Sequence, residues 1–212
     1  MISFCIITDG KEPTKLYNEI VSICDLRIPF YEILVGGKIP DETQYFTGTH
    51  NVDLEEYAKA GRLGAMRNAL CRRAQGDILV VADDDMVFHD DFYTGILWHE
   101  NKFDVLACRL LNPDGTRFWD WATYKGPNGH ALIDYNVSNY EDVYVSGGLI
   151  TMKRYVFDEC QWDENLGFYQ NEDIDFSERL KAHRFRITFN TFSTVTHDAP
   201  YTQSDRGVVR TR

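Results

Sequence analysis

Short apolar runs recur along the first half of the chain, and each ends in small or acidic residues. The runs Ile2–Thr8 and 31–35 are both followed by a turn-forming pair, which is the pattern of buried strands. Between them, an apolar stripe at helical spacing begins after Pro13, a residue suited to the first turn of a helix. This strand-helix-strand order predicts a parallel sheet with a ligand site at the carboxyl ends of its strands.

The rest of the chain continues with strands and helices and shows no internal repeat. Predicted helices occupy 53–75, 92–100, 153–160 and 173–182. Predicted strands occupy 78–82, 105–111, 143–152 (broken at Gly147-Gly148), 186–190 and 194–197. Asp53 and Glu56 are spaced as a capping box, while Gly61 and Gly64 predict a break in the helix that follows. The aromatic segment 118–139 contains many turn residues and is predicted to be a loop.

Length and charge narrow the classes of protein. The 212 residues suit one domain, predicted over 1–203, and the 43% of hydrophobic residues suffice for a full core. We expect 204–212 to be a polar tail or the start of a linker to a further module. A net charge of −11 disfavours nucleic acids and anionic membrane surfaces as partners. A phosphorylated ligand fits only if a divalent cation lies between it and the carboxylates.

The cysteines and apolar runs bear on the compartment. The five cysteines are odd in number and form no CxxC pair, which favours a reducing environment without disulfides. The longest apolar runs are too short to cross a bilayer, and no signal peptide precedes the first strand. The sequence therefore predicts a soluble, cytoplasmic protein without a membrane span.

Three consecutive carboxylates, Asp83, Asp84 and Asp85, follow the apolar strand 78–82. They repel one another at the end of a buried strand, and a divalent cation such as Mg²⁺ or Mn²⁺ relieves that repulsion through oxygen ligands. In an extended segment Asp83 and Asp85 lie on one side and Asp84 on the other, so the three can divide their tasks. The alternative is a solvated turn or a helix cap.

The residues before the triplet carry a family pattern. Residues 63–69 are Leu-Gly-Ala-Met-Arg-Asn-Ala, and residues 76–85 are Gly-Asp-Ile-Leu-Val-Val-Ala-Asp-Asp-Asp. An Ala-x-Arg-Asn helix, a Gly-Asp start, a hydrophobic strand and a DxD motif resemble the centre of family-2-like GT-A glycosyltransferases. The resemblance implies an α/β, Rossmann-like GT-A domain with a mostly parallel central sheet flanked by helices. It further implies a nucleotide-sugar half over about 1–110 and an acceptor half over about 111–203.

The same resemblance implies roles for the acidic residues. Asp83 is expected to contact the ribose or base and to share the metal, Asp85 to bind Mn²⁺ or Mg²⁺, and Asp84 to assist with the nucleotide. Arg67 is expected near the donor, with an ordinary helix-sheet ion pair as the alternative. Thr8 and Asp9 end the first strand, where GT-A proteins contact the nucleoside. The usual acidic pair after the second strand is replaced here by glycines, so Thr8, Asp9 or an acid within 53–56 would have to recognise the base.

A second acidic cluster resembles the acceptor half of these enzymes. The strand around Gly147 and Gly148 precedes an aromatic loop and then Glu172-Asp173-Ile174-Asp175. The resemblance implies that Asp173 is the general base, with Glu172 as the alternative, and it favours inversion over retention. Capping of a helix N-terminus is the simpler explanation of the acids.

A late histidine and several aromatic residues complete the candidates. His197 follows the last predicted strand, where many GT-A enzymes supply a third metal ligand, although a single histidine is often structural. Trp119, Trp121 and Tyr124 form either a sugar-stacking wall or packed core, and His130 is a weaker metal candidate.

These features predict a metal-dependent glycosyltransferase that moves a sugar from a nucleotide-diphosphate sugar, such as UDP-glucose, to a hydroxyl of a glycan or glycoconjugate. A haloacid-dehalogenase-like phosphatase with Asp83 as nucleophile is an alternative, because Ala-Asp-Asp-Asp-Met-Val fits its motif. A non-enzymatic, calcium-dependent carbohydrate-binding module is another alternative. A nucleotidyltransferase lacks support, since no basic, Gly-rich phosphate loop precedes the first helix.

Overall fold

A mixed, eight-stranded sheet forms the centre of the molecule, in a computed structural model that describes residues 1–40, 48–126, 129–137, 141–167 and 170–199. The strand order is β3-β2-β1-β4-β10-β6-β11-β5, and a second sheet has the order β8-β7-β9. The strands are β1 Ile2–Thr8, β2 Tyr31–Gly37, β3 Thr49–Asp53, β4 Ile78–Asp83, β5 Met86–Phe88, β6 Val105–Leu111, β7 Trp121–Gly126, β8 Gly129–Leu132, β9 Val143–Val145, β10 Leu149–Lys153 and β11 Ile187–His197. The helices are α1 Pro13–Asp25, α2 Glu55–Lys59, α3 Leu63–Arg73, α4 Asp91–Leu97, α5 Arg154–Glu159 and α6 Glu172–Ala182.

The two faces of the sheet bury two separate cores. Phe4 and Ile6 of β1 point into a core that contains residues of α1 and α4, while Cys5 and Ile7 point into one that contains residues of α3 and α6. This alternation follows from the two-residue period of a strand, and it explains why β1 is buried throughout. Helices therefore pack on both faces.

The strand directions bring many chain segments to one edge of the sheet. Strands β1 to β4 run parallel, β10 runs antiparallel between β4 and β6, and β11 is parallel to β6. Strand β5 is antiparallel to β11 at the end of the sheet. The carboxyl ends of β1, β2, β3, β4, β6 and β11 thus share an edge with the starts of β10 and β5. Open α/β sheets bind ligands at such an edge, where the strand order reverses.

The prediction of a loop over 118–139 is wrong. Most of this segment forms the β7–β8 hairpin, and β9 pairs with β7 in the small second sheet. The break predicted at Gly147-Gly148 within 143–152 is confirmed, and it separates two strands, β9 and β10, which belong to different sheets. The turn at Gly147-Gly148 lets the chain cross from one sheet to the other. The hairpin and the assignment of β9 and β10 to different sheets both depend on pairing between distant segments. Local sequence patterns do not show that pairing.

Smaller differences concern caps and ends. The predicted capping box is wrong, because the N-cap residue of α2 is Leu54, whose side chain makes no capping hydrogen bond. Asp53 instead ends β3, and its carboxylate accepts a hydrogen bond from the Glu55 backbone at 3.1 Å. The predicted break is confirmed at Gly61, which has a φ of 65° between α2 and α3. The last two predicted strands form one strand, β11, with an irregularity between Asn190 and Thr194.

Two expectations concern membranes and the chain end. None of the helices in the described ranges has the length and apolar character needed to cross a bilayer. The predicted tail, 204–212, lies outside the residues that the structure describes.

Candidate functional site

The acidic triplet lies at the switch point of the sheet. Asp83 is the last residue of β4 and pairs with Ile7 of β1, while its backbone N–H donates to the carbonyl oxygen of Gly148 at 3.0 Å. Asp84 and Asp85 form the turn into β5. The first acidic cluster thus lies between strand β1 and the Gly147-Gly148 turn.

Asp84 faces the end of β1. Its carboxylate accepts a hydrogen bond from the Thr8 hydroxyl at 2.5 Å, and the same hydroxyl oxygen accepts from the Gly10 backbone at 3.0 Å. Burial raises the pKa of Asp84 to about 7, and the nearby charges of Asp83 and Asp85 add to that rise while the Thr8 hydrogen bond opposes it. Asp84 therefore joins the triplet to the loop after β1.

Asp85 and His197 lie next to each other. Their Oδ2 and Nε2 atoms are 3.3 Å apart, and both side chains are 17% exposed. The pairing of Met86 with His197 between β5 and β11, and a 2.7 Å hydrogen bond from the Asp198 backbone to the Asp85 carbonyl, hold the two residues together. The His197 ring also stacks on Phe118 with a centroid distance of 4.2 Å.

The pair carries donor atoms of the kinds that divalent cations bind. The buried Asp85 Oδ1 and His197 Nδ1 atoms have no hydrogen-bond partner among the described residues. A carboxylate and an imidazole are a suitable donor set for Mn²⁺. Within the described ranges no group of three or more His, Cys, Asp or Glu side chains forms a complete metal site. A cation held here would take its remaining ligands from a phosphate group and water.

Arg67 connects the two acidic clusters. Its side chain is 1% exposed, and Nη2 lies 3.1 Å from Asp83 Oδ1 and 2.8 Å from the Gly147 carbonyl oxygen. Nη1 lies 3.4 Å from Glu172 Oε1. Sequence reasoning expected Arg67 near the donor or in a helix-sheet ion pair, and the structure places it in an ion pair at the centre of the site. A buried guanidinium between two carboxylates fixes their separation through several directed hydrogen bonds.

Asp83 keeps one open side. Burial and the charge of Asp85 raise its pKa, while the Arg67 guanidinium lowers it, and the net direction is upward. Its side chain is nevertheless 37% exposed, so one part of the carboxylate is shielded against Arg67 and another part faces the cleft. That open part is available to a ligand.

Glu172 and Asp173 occupy the first turn of α6 after Asn171, which has a left-handed φ of 58°. Glu172 is engaged by Arg67, whereas Asp173 accepts a hydrogen bond from the Ile174 backbone at 2.9 Å. Burial, followed by the charge of Glu172, raises the pKa of Asp173. Asp173 is therefore the carboxylate of this cluster that binds a proton more readily than an ordinary aspartate.

Two glycines make room between the clusters. A Cβ atom on Gly147 would lie 3.1 Å from Glu172 Oε1 and 3.3 Å from Arg67 Nη2. A Cβ atom on Gly148 would lie 2.7 Å from the Met86 methyl group. Larger residues would push the acidic clusters apart, so the glycines allow the backbone to pass close to both.

Of the two alternatives for Trp121, a sugar-stacking wall or packed core, its burial supports packed core. This residue is fully buried, donates from its indole nitrogen to the Val137 carbonyl at 3.0 Å and packs on Phe189. Trp119 is also buried, in a small cluster with Tyr144. Trp121 thus belongs to the large core that also contains Val143 and Val145, and Trp119 belongs to a separate small cluster.

Tyr124 and His130 have structural contacts. The Tyr124 hydroxyl donates to Glu178, and the His130 ring contacts the Tyr144 hydroxyl at 3.2 Å. Neither contact involves the acidic clusters.

A cavity of about 610 Å³ lies at the carboxyl ends of β2 and β3. Its lining comprises Gly37, Lys38, Ile39, Asn51, Asp53 and Glu55. Asp53 pairs with Gly37 in the sheet, which places an acid beside the position where the second strand carries glycine. Asp9 lies on the exposed side of the β1 end and forms a 2.5 Å ion pair with Lys11. Asp53 and Glu55 are therefore the acids within 53–56 that line this cavity.

Sequence reasoning missed two residues next to the candidate metal pair. Phe118, which stacks on His197, was assigned only to a loop, and no local signal links the two positions. Glu19 was overlooked although the sequence contains its signal. It falls in the buried stripe of Leu16, Ile20 and Ile23, where an acid is unexpected.

A known protein family matches most of the chain in sequence. Residues 17–161, well over half of the chain, match the family model described as glycosyl transferase family 2. No curated protein matches the chain significantly in sequence.

Solved structures resemble the whole described fold. The crystal structure of GalNAc-T7 with UDP, GalNAc and Mn²⁺ has a TM-score of 0.72 and 14% identity, over 94% of this chain and 44% of that one. S. aureus TarS 1-349 in complex with UDP has a TM-score of 0.63 and 17% identity, over 92% of this chain and 60% of that one. The chain thus spans about half the length of these solved proteins, and identities this low establish the fold alone.

Proposed function

The chain belongs to glycosyl transferase family 2, and we propose that it transfers a sugar from a nucleotide-diphosphate sugar to an acceptor hydroxyl. The family match and the fold similarities confirm the GT-A fold predicted from the sequence. One observation on this chain's own residues supports the proposal. Asp85 and His197 lie 3.3 Å apart at the switch point of the sheet, each with a buried atom that has no partner among the described residues.

Asp85 and His197 would hold a divalent cation, Mn²⁺ or Mg²⁺, and the open part of Asp83 could contribute a further oxygen. The cation supplies electrostatic stabilisation to the departing nucleoside diphosphate, whose negative charge grows as the sugar leaves. Mn²⁺ is present with UDP in the similar GalNAc-T7 structure, which supports this choice.

The donor nucleotide would lie between the triplet and the ends of β1 to β3. Both similar proteins are described with UDP, so we propose a UDP-sugar, with UDP-glucose as the first candidate. Asp83 and Asp84, with Thr8, would accept hydrogen bonds from the ribose or orient the loop that does so. The cavity lined by Asp53 and Glu55 would receive the base, with Asp9 at its margin.

Asp173 would act as the general base. Its raised pKa favours proton uptake from an acceptor hydroxyl as the hydroxyl oxygen attacks the anomeric carbon. Glu172 is less suited, because its carboxylate already pairs with Arg67. A direct attack of this kind inverts the anomeric configuration. Gly147 and Gly148 would let a glycan or glycoconjugate acceptor approach the backbone between the clusters.

We further propose a reducing, cytoplasmic compartment on the basis of the cysteines. All five are free, and four of them are buried, which supports a reducing, cytoplasmic environment.

A donor panel tests the proposal. The protein is incubated with Mn²⁺, a set of nucleotide sugars and simple glycan acceptors, and the release of nucleoside diphosphate is measured alongside inorganic phosphate. We expect UDP release from one UDP-sugar, abolished by chelation and by Asp85→Asn. Release of inorganic phosphate from simple esters would instead support the phosphatase, and unchanged turnover in Asp85→Asn would contradict the metal site.

A further inference from the structure

Glu19 is a buried carboxyl group that neither cluster of the site includes. It lies on the inward face of α1, is fully buried, and belongs to the same stripe as Leu16, Ile20 and Ile23. Neither of its carboxyl oxygens has a hydrogen bond of good geometry within the described ranges. Burying such a group costs free energy, and an apolar side chain would pack α1 at lower cost. A role beyond packing is therefore needed to explain an acid at this position.

The groups around Glu19 belong to the turn after β4. The carboxyl group lies near the backbone N–H of Met86 without forming a regular hydrogen bond to it. Burial first, and then the charges of Asp84 and Asp85, raise the pKa of Glu19 well above its ordinary value. The side chain thus presents a polar surface to the start of β5.

Ser22, one turn further along α1, contacts the same strand. Its hydroxyl accepts a hydrogen bond from the Phe88 backbone at 3.0 Å and donates to the Glu19 carbonyl at 2.7 Å. Strand β5 lies at the end of the sheet order and pairs with β11 on its other side. The N–H groups of Met86 and Phe88 therefore face polar groups of α1 instead of another strand. An edge strand of three residues has little else to fix its position.

The position of β5 determines the geometry of Asp85. Asp85 immediately precedes Met86, and Met86 pairs with His197 in the β5–β11 ladder. A shift of Met86 toward α1 would move Asp85 relative to His197 and change the 3.3 Å separation between their side chains. Residues that orient metal ligands without binding the metal themselves commonly affect metal affinity.

We propose that Glu19, together with Ser22, is a positioning residue that holds β5 so that Asp85 and His197 remain at the spacing of a cation-binding pair. The consequence for cation affinity rests on the proposed function, whereas the contact between α1 and β5 does not. Glu19 touches neither substrate nor cation in this arrangement and acts through the backbone of Met86.

Mn²⁺ binding to the free protein tests the proposal, with no donor present and Mn²⁺ followed by electron paramagnetic resonance. Glu19→Leu fills the space without a polar group, and we expect it to weaken Mn²⁺ binding by about 10-fold or more. Glu19→Gln keeps the size and the hydrogen-bonding groups, and we expect its affinity to stay close to that of the wild type. Leu16→Ala is the matched control on the same stripe; it should lower the thermal midpoint and leave Mn²⁺ binding unchanged.

Retention of affinity in Glu19→Leu, or an equal loss in Leu16→Ala, overturns the proposal. If Glu19→Leu does not fold, Ser22→Ala provides the same comparison through Phe88. Amide hydrogen exchange gives an independent readout, since Met86 and Phe88 should exchange faster in Glu19→Leu than in Leu16→Ala. If the wild type binds no Mn²⁺, the metal part of the proposed function fails, and the exchange rates alone decide whether α1 holds β5.

Discussion

Nη2 of Arg67 lies 3.1 Å from Oδ1 of Asp83, in a buried ion pair that the guanidinium extends to Glu172. Removing one member of a buried pair leaves the other charges without compensation, which destabilises a protein more than the pair itself stabilises it. We expect Arg67→Met to lower the free energy of unfolding by about 3 kcal/mol, as measured by urea denaturation.

The matched control for this substitution is Arg72→Met. Arg72 pairs with Glu164 at 2.9 Å on the surface of the same helix, and exposed pairs contribute little. We expect a loss of less than about 1 kcal/mol. Equal losses in the two variants would contradict the central role of Arg67.

Removal of the metal, or of either proposed ligand, should abolish sugar transfer. We expect chelation to stop nucleoside diphosphate release and added Mn²⁺ to restore it in the wild type. Asp85→Asn and His197→Ala should not recover at the same Mn²⁺ concentration, because each lacks one of two protein ligands. His130→Ala is the control, since its ring contacts Tyr144 outside the acidic clusters. Recovery of both ligand variants would rule out this pair as the cation site.

Replacing the proposed base should affect the chemical step more than donor binding. We expect Asp173→Asn to lower kcat by about 10² to 10⁴-fold while the KM for the donor changes little. Asp175→Asn, in the same turn of α6, is the control, because Asp175 pairs with Arg179 at 3.6 Å. Steady-state kinetics separate the two parameters. A larger loss in Glu172→Gln than in Asp173→Asn would transfer the role to Glu172.

The acid limb of the pH–rate profile should report on Asp173. The base must be ionised, so activity falls as pH decreases through its raised pKa. The charge of Glu172 contributes to that rise, and Glu172→Gln removes it. We therefore expect the acid limb of kcat/KM to move to lower pH in Glu172→Gln. A limb that stays in place or moves to higher pH would contradict the assignment.

The space at Gly147 should be necessary for catalysis. In Gly147→Ala the new methyl group would press against Glu172 Oε1 and Arg67 Nη2, so we expect a lower kcat with a nearly unchanged thermal midpoint. In Gly167→Ala the nearest atoms to the added Cβ lie 3.7 Å away, an ordinary contact, and we expect neither value to change. Activity assays and thermal denaturation of both variants provide the comparison.

Sequence patterns predict those helices and strands whose formation depends on residues close to each other in the chain. Strands β1 and β6, the start of α1 at Pro13 and the GT-A fold are confirmed, because apolar runs and turn residues mark them directly. The β7–β8 hairpin was missed, since its pairing with β9 joins residues about twenty positions apart and its aromatic residues look the same in a loop. The pattern of apolar and polar residues therefore predicts the fold class, but it does not predict which strands belong to which sheet.

The same distinction applies to the candidate site. The sequence placed Asp85 and His197 in one group through a family resemblance, and the structure brings them within 3.3 Å. It gave no indication that Arg67 joins Asp83 to Glu172, because that relation depends on how α3 and α6 pack against the sheet. Tryptophan is a residue type that can contact ligands, but Trp121 is buried in the core. Residue type alone does not determine burial.

The ion pair between Arg67 and Glu172 joins residues 105 positions apart in the chain. Contacts across such a distance require the closure of a long loop, and they form late in folding. During synthesis the acidic triplet and Arg67 emerge well before Glu172 and His197, and a domain generally folds as a unit. A nascent chain that ends after β6 would carry the triplet without its later partners. The order of synthesis thus delays assembly of the complete site until nearly the whole domain has left the ribosome.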